Sequence, residues 1–135
     1  MASVESPNLI SLQYPTHTEK RAERALYCSP FNLKLFVTMS SQSVGLKSIS
    51  SDAGLRNDYT VSLLSELAAE DYLLWLIQVG VLRREVDGQG ITDSFRLTPL
   101  GHQLVKKYTG NGNWPQPTIS DRLNNFINRW FRLPV

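Results

Sequence analysis

Residues 73–108 constrain the fold most, because helical and extended patterns follow one another there with a clear boundary signal at each change. The helical pattern ends at Gly80, and glycine is the residue that most readily ends a helix in a left-handed conformation. Residues 81–86 then predict a strand, and residues 91–97 predict a second one. Two glycines within residues 87–90 suit the tight turn between them. The stretch therefore predicts a helix followed by a two-stranded hairpin.

A second helix is predicted directly after the hairpin. Thr98 is a typical N-cap residue, and Pro99 is typical of the first helical position, where a missing N–H costs nothing. The apolar residues that follow recur at helical spacing: Leu100, Leu104, Val105 and Tyr108.

These residues resemble the winged helix-turn-helix, the module of many small bacterial transcription regulators such as the MarR and PadR types. The resemblance is carried by Gly-Val-Leu-Arg at 80–83, the hairpin glycines Gly88 and Gly90, and Phe-Arg-Leu-Thr-Pro-Leu-Gly at 95–101. Phe95 stands where tyrosine is common in the family. The resemblance implies that the helix before Gly80 is the DNA-recognition helix and that the hairpin is the wing. The same module also serves other proteins in dimerisation or protein docking.

The expected fold class is mainly α with a small β-hairpin wing, namely a winged helix-turn-helix with added N- and C-terminal helices. The chain is expected to divide into a flexible N-terminal arm at 1–15, a winged-helix domain with a leading helix at 16–109, a linker at 110–117 and a C-terminal amphipathic dimerisation helix at 118–135.

Length and composition suit one cytoplasmic domain. The chain has 135 residues, of which 41% are hydrophobic, enough for a core. No apolar run approaches the roughly 20 residues that a membrane helix needs. The first residues lack the basic start and apolar run of a secretory signal. Cys28 is the single cysteine, so an internal disulfide is excluded and a reducing compartment is expected.

Charge is unevenly distributed along the chain. The net charge is +2, which is weak for a protein that binds nucleic acid. Residues 83–135 carry eight basic and four acidic side chains, a net of +4. Residues 52–71 carry one basic and five acidic side chains, a net of −4. The wing side is thus predicted to be positive and the helix-turn-helix side negative.

The register of the helix-turn-helix has two interpretations. In the first, residues 46–55 form the first helix up to a turn at Gly54, and residues 59–64 begin the recognition helix. In the second, residues 60–68 form the first helix and residues 71–79 form the recognition helix. The latter segment is almost wholly apolar and unsuited to a solvated major groove, which favours the first register.

Two sets of residues are candidates for DNA contact under the first register. The wing set would contact backbone phosphates or a minor groove: Arg83, Arg84 and Arg96. The recognition-helix set would address base edges: Arg56, Asn57, Tyr59, Thr60 and Ser62. Acidic neighbours such as Asp58, Glu66 and Glu70 would repel phosphate, so an ordinary solvated surface is the competing interpretation.

The last predicted helix has one apolar face, interpreted as a dimer interface. Its members fall at i, i+4, i+7, i+8, i+11 and i+12: Ile119, Leu123, Phe126, Ile127, Trp130 and Phe131. Packing of this face onto the same domain is one alternative. Binding to a membrane surface is another, less favoured because the polar face has many asparagines and few basic residues.

No enzyme, cofactor or metal site is predicted. The sequence lacks a phosphate-binding loop and a nucleophile elbow, and His17 and His102 have no suitably spaced acidic or thiol partner. The leading hypothesis is a homodimeric transcription regulator that binds double-stranded DNA. The alternative is a winged-helix module for protein–protein interaction that does not bind DNA, and the −4 segment favours it.

Overall fold

A computed structural model of the protein describes residues 14–109 and 119–131. Within these ranges the helices are α1 (Thr16–Tyr27), α2 (Leu33–Met39), α3 (Leu46–Ile49), α4 (Ser51–Arg56), α5 (Glu66–Gln78), α6 (Pro99–Tyr108) and α7 (Ile119–Phe131). The strands are β1 (Val44–Gly45), β2 (Leu82–Asp87) and β3 (Gly90–Leu97). The prediction of a mainly helical chain with a small hairpin is confirmed at this level.

The three strands form one antiparallel sheet in the order β1-β3-β2. The predicted hairpin supplies β2 and β3, which pair from Leu82 opposite Leu97 to the turn, with an irregularity after Arg84. The two-residue strand β1 was not predicted, and it places Val44 opposite Phe95. β3 lies between the other two strands, and its Phe95 side chain is fully buried in the core.

The boundary signals around the hairpin are confirmed. Gly80 has a φ of 93°, which an L-side chain rarely adopts. The Thr98 hydroxyl accepts a hydrogen bond from the Gly101 N–H at 3.0 Å, so it caps α6, and Pro99 occupies the first turn. A Cβ on Gly101 would lie 2.3 Å from the Val81 carbonyl oxygen. Glycine at 101 therefore permits α6 to pack directly on the chain entering β2.

The predicted start of the recognition helix at residues 59–64 is wrong, because these residues form an irregular connection. The Tyr59 N–H donates to the Gly54 carbonyl at 2.8 Å, and Thr60 forms an isolated bridge with Phe31. Asp58 has a φ of 62°, which is incompatible with a helix. With these contacts, residues 57–65 stay outside any helix.

Helix α5 begins at Glu66, and the Ser65 hydroxyl caps it by accepting from the Ala68 N–H at 3.1 Å. The second register is wrong as well, since it placed a helix break at Glu70 and Asp71, which lie inside α5.

The segment before this connection is helical, as the first register predicted, but it is broken. Ser51 has a φ of 56°, so residues 46–56 form two short helices, α3 and α4. Gly54 lies inside α4 and not at a turn. A Cβ on Gly54 would lie 2.0 Å from the Ile49 carbonyl oxygen, so close backbone packing requires glycine there.

One hydrophobic core joins the sheet to the helices around it. Its largest fully buried side chains come from α1, α2, α3, α5, the two hairpin strands and the adjoining loops: Leu26, Phe31, Leu35, Phe36, Met39, Ile49, Leu73, Leu76, Val79, Val81, Leu82 and Phe95. None of the described helices is long and apolar enough to cross a membrane. The predicted arm at 1–15 lies mostly outside the described residues, and the predicted linker at 110–117 lies wholly outside them.

Candidate interaction surface

The three wing arginines differ in what their side chains contact. The Arg84 guanidinium lies 3.4 Å from both the Glu70 and the Asp93 carboxylates and 5.0 Å from the centre of the Phe95 ring. Arg96 lies 3.3 Å from the Glu85 carboxylate. Arg83 is exposed. Two of the three predicted phosphate contacts are therefore engaged with carboxylates.

Helix α5 lies next to the hairpin, since the Arg84–Glu70 ion pair joins the two elements. Its sequence contains three acidic residues and no lysine or arginine. Leu67, Asp71, Leu74 and Gln78 are exposed at a helical spacing of four, three and four residues. These four residues form one solvent-facing stripe, here called the α5 stripe, in which two leucines flank a carboxylate.

The residues predicted to begin the recognition helix have mainly local structural roles. Arg56 is exposed at the end of α4, and Ser62 is exposed in the connection to α5. The Asn57 side chain donates to the Ser48 carbonyl at 3.0 Å, which holds the end of α4 to α3. Tyr59 packs against the core, and Thr60 is 3% exposed. The five side chains do not share a helix face.

Helix α7 packs on the same domain, against α1 and α5. The Trp75 indole N–H donates to the Asn125 side-chain oxygen at 3.1 Å. The Arg129 guanidinium forms an ion pair with Asp71 and lies 4.6 Å from the centre of the Tyr72 ring. Polar side chains of α7 therefore make its described contacts with α5.

The apolar face of α7 is largely exposed. Ile119, Leu123, Phe126 and Trp130 are 86%, 57%, 52% and 60% exposed, and they are called the α7 ridge below. Ile127 is half-buried, and the Phe131 side chain lies outside the described part of the structure. Asn128 is 1% exposed on the opposite side of the helix. The amphipathic helix predicted from the sequence is thus present, with its polar side inward.

Two grooves run beside the contact between α5 and α7. The first has a volume of about 460 Å³ and is lined by Asp71, Leu74, Trp75, Ile77, Gln78, Arg129 and Trp130. The second, of about 360 Å³, includes Cys28 and Arg122 in its lining. Burial raises the pKa of the Cys28 thiol, which keeps it protonated at neutral pH. Among the residues that the structure describes, no three His, Cys, Asp or Glu side chains come together as a metal site.

A polar cluster between α1 and α6 was not predicted from the sequence. The Lys107 ammonium and the Tyr108 hydroxyl donate to the Glu23 carboxylate at 2.7 and 3.1 Å. The Tyr27 hydroxyl is hydrogen-bonded to that of Tyr108. Burial, followed by this hydrogen bond, raises the pKa of Tyr27. The i, i+4 spacing of Glu23 and Tyr27 was the available signal, and the cluster joins the two helices.

Comparison with known proteins supports a family assignment for the chain. No curated protein and no solved structure matches it. A family model described as Npun_F0494-like matches residues 12–129, which include every described helix and strand up to the last turn of α7. The chain therefore belongs to the Npun_F0494-like family.

Proposed function

We propose that the protein is a winged-helix module for protein–protein interaction, which docks through the α5 stripe. In this proposal α5 takes the place of the recognition helix, and β2 and β3 form the wing. The order of helix, hairpin and helix supports the assignment, as does the Arg84–Glu70 ion pair that holds the wing beside α5.

The charge of α5 favours a protein over DNA as the partner. Duplex DNA presents about one negative charge per 1.7 Å of its axis. A recognition helix with the carboxylates of Glu66, Glu70 and Asp71, and without any lysine or arginine, would be repelled on entering its major groove. Arg84 and Arg96 are engaged with carboxylates, so the wing offers little compensation.

The same surface suits a protein partner of defined chemistry. Leu67 and Leu74 offer apolar contact area, and exposed aliphatic side chains of this size contribute about 1.5–3 kcal/mol each when fully buried. Three carboxylates lie on α5, of which Asp71 pairs with Arg129 and Glu70 pairs with Arg84, while Glu66 is exposed in the first turn. An amphipathic helix with an apolar stripe and basic flanks would match both features.

The test uses a labelled amphipathic peptide of leucine and lysine as the probe, with binding followed by fluorescence anisotropy. The double variant Leu67→Ser, Leu74→Ser should weaken binding by about tenfold or more, since about 1.4 kcal/mol corresponds to a factor of ten. The matched control, Val37→Ser with Val61→Ser, removes apolar groups that are exposed outside α5 and should bind like the wild type. Equal binding by all three proteins would overturn the proposal.

A second arm tests the DNA hypothesis directly with random duplex DNA at low salt. We expect no salt-sensitive binding by the wild-type protein. The proposal is overturned if the protein binds duplex DNA with a steep salt dependence and loses affinity when Arg83, Arg84 and Arg96 are changed to alanine.

A further inference from the structure

We infer that the α7 ridge is the seam of an antiparallel homodimer, in which a second copy of this chain covers the ridge. This goes beyond the proposed function, because the α7 ridge forms the seam and, of the α5 stripe, only Asp71 is used beside it. The described residues leave all four ridge side chains more than half exposed, although a 13-residue helix with such a face is built to bury it.

The spacing of the ridge suits a helix as the occupant. Ile119, Leu123, Phe126 and Trp130 follow one another at four, three and four residues, the alternation by which one helix packs along another in a coiled coil. At 1.5 Å per residue, the helix provides a straight seam of about 20 Å.

The order of side-chain sizes selects the antiparallel arrangement. The two aliphatic residues lie in the first half of the ridge, and the two aromatic residues lie in the second half. A two-fold axis between Leu123 and Phe126 places Ile119 opposite the partner copy's Trp130 and Leu123 opposite its Phe126. Every layer then pairs one aliphatic with one aromatic side chain, so the seam has an even width. A parallel pair would place the two largest side chains together at one end.

Charges beside the ridge are complementary to those of a second copy of the chain. Arg122 is exposed on the side of α7 where Arg129 pairs with Asp71. Two-fold pairing brings Arg122 of one copy towards this ion pair in the other, where the exposed Asp71 carboxylate can accept a second donor.

The first test is sedimentation equilibrium of the full chain across a range of concentrations. The wild-type protein should shift from monomer to dimer as concentration rises. Leu123→Glu with Phe126→Glu should stay monomeric, while the control Val61→Glu with Leu63→Glu, which changes exposed residues before α5, should dimerise like the wild type. A wild-type protein that is monomeric throughout, or a dimer unaffected by the ridge variant, overturns the inference.

The second test is disulfide trapping in a Cys28→Ser background. Leu123→Cys mixed with Phe126→Cys should form the mixed disulfide faster than either variant forms its own, because the antiparallel seam places these positions opposite each other. Faster formation of the two self-disulfides would indicate a parallel pair and overturn the geometry. Failure in both tests leaves peptide binding by the α5 stripe unaffected, so the two proposals fail separately.

Discussion

Trp75 and Asn125 hydrogen-bond across the contact between α5 and α7, with the indole N–H donating to the amide oxygen at 3.1 Å. Asn128 follows three positions later on α7 and is 1% exposed, but neither its amide nitrogen nor its amide oxygen has a hydrogen-bond partner among the described residues. The two asparagines thus make opposite contributions to the attachment of α7, since a buried polar group without a partner is destabilising.

We predict that leucine substitutions at these two positions change stability in opposite directions. Asn125→Leu should lower the free energy of unfolding by about 1–2 kcal/mol, because it leaves the Trp75 N–H without its acceptor. Asn128→Leu should raise it by about 1 kcal/mol, because it removes the unpaired amide and adds apolar contact. Urea unfolding followed by tryptophan fluorescence measures both. Destabilisation of similar size in both variants would show that α7 is attached differently.

Gly101→Ala should destabilise the protein by about 2–4 kcal/mol, because the added methyl group would lie 2.3 Å from the Val81 carbonyl oxygen and force α6 away from the chain entering β2. Gly88→Ala is the control, since a Cβ there meets nothing within 4 Å. Thermal unfolding by circular dichroism compares the two variants. Equal melting temperatures would contradict the close packing of α6.

The Thr98 hydroxyl caps α6 by accepting from the Gly101 N–H, and it donates towards the carbonyl oxygens of Gly80 and Val81, the latter at 3.1 Å. Thr98→Val keeps the shape of the side chain but loses these contacts, so we expect a loss of about 1–2 kcal/mol. Thr98→Ser keeps the hydroxyl and should recover most of that loss. Urea unfolding distinguishes the outcomes, and equal stability of the valine and serine variants would argue against a capping role.

The polar cluster between α1 and α6, which contains Tyr27, should make the free energy of unfolding fall at alkaline pH. The pKa of Tyr27 is raised in the folded protein by burial and by its hydrogen bond to Tyr108, so the folded state retains a proton that the unfolded chain releases near pH 10. This contribution is complete below that pH and is lost as pH rises through the folded value. Hydrogen bonding to Glu23 raises the pKa of Lys107, which acts in the same direction.

The corresponding variant is Tyr27→Phe, which should be less stable than wild type by about 1 kcal/mol at neutral pH. The difference should shrink at about pH 11, where the wild-type tyrosine begins to lose its advantage over the phenylalanine. Urea unfolding at the two pH values gives the comparison. A difference that stays constant or widens with pH would contradict the assigned cause.

Local chemistry explains which elements could be predicted from the sequence. Gly80, the turn glycines and the Thr98-Pro99 pair act through their own backbone preferences, so the hairpin and α6 were located correctly. The start of α5 depends on distant partners, namely the bridge between Thr60 and Phe31 and the bond from Tyr59 to Gly54. Hydrophobic periodicity contains no information about such contacts. The start of α5 was therefore predicted about seven residues too early.

Prediction of the candidate surface from the sequence was limited in the same way. The apolar stripe of α7 follows from its spacing, but periodicity does not determine which side of a helix faces its own domain. The arginines of the hairpin were identified by position in the sequence. Their pairing with Glu70 and Glu85 depends on the strand register and on the neighbouring helix, which is why free phosphate-binding groups were predicted.

The pairing of Val44 with Phe95 has a consequence for the order of folding. The contact between β2 and β3 spans a short turn, whereas the pairing of β1 with β3 closes a longer loop that contains α3, α4, α5 and β2 and costs more chain entropy. We therefore expect the central strand to pair with β2 first and with β1 later. Pairing of the two-residue strand β1 would then complete the sheet late in folding.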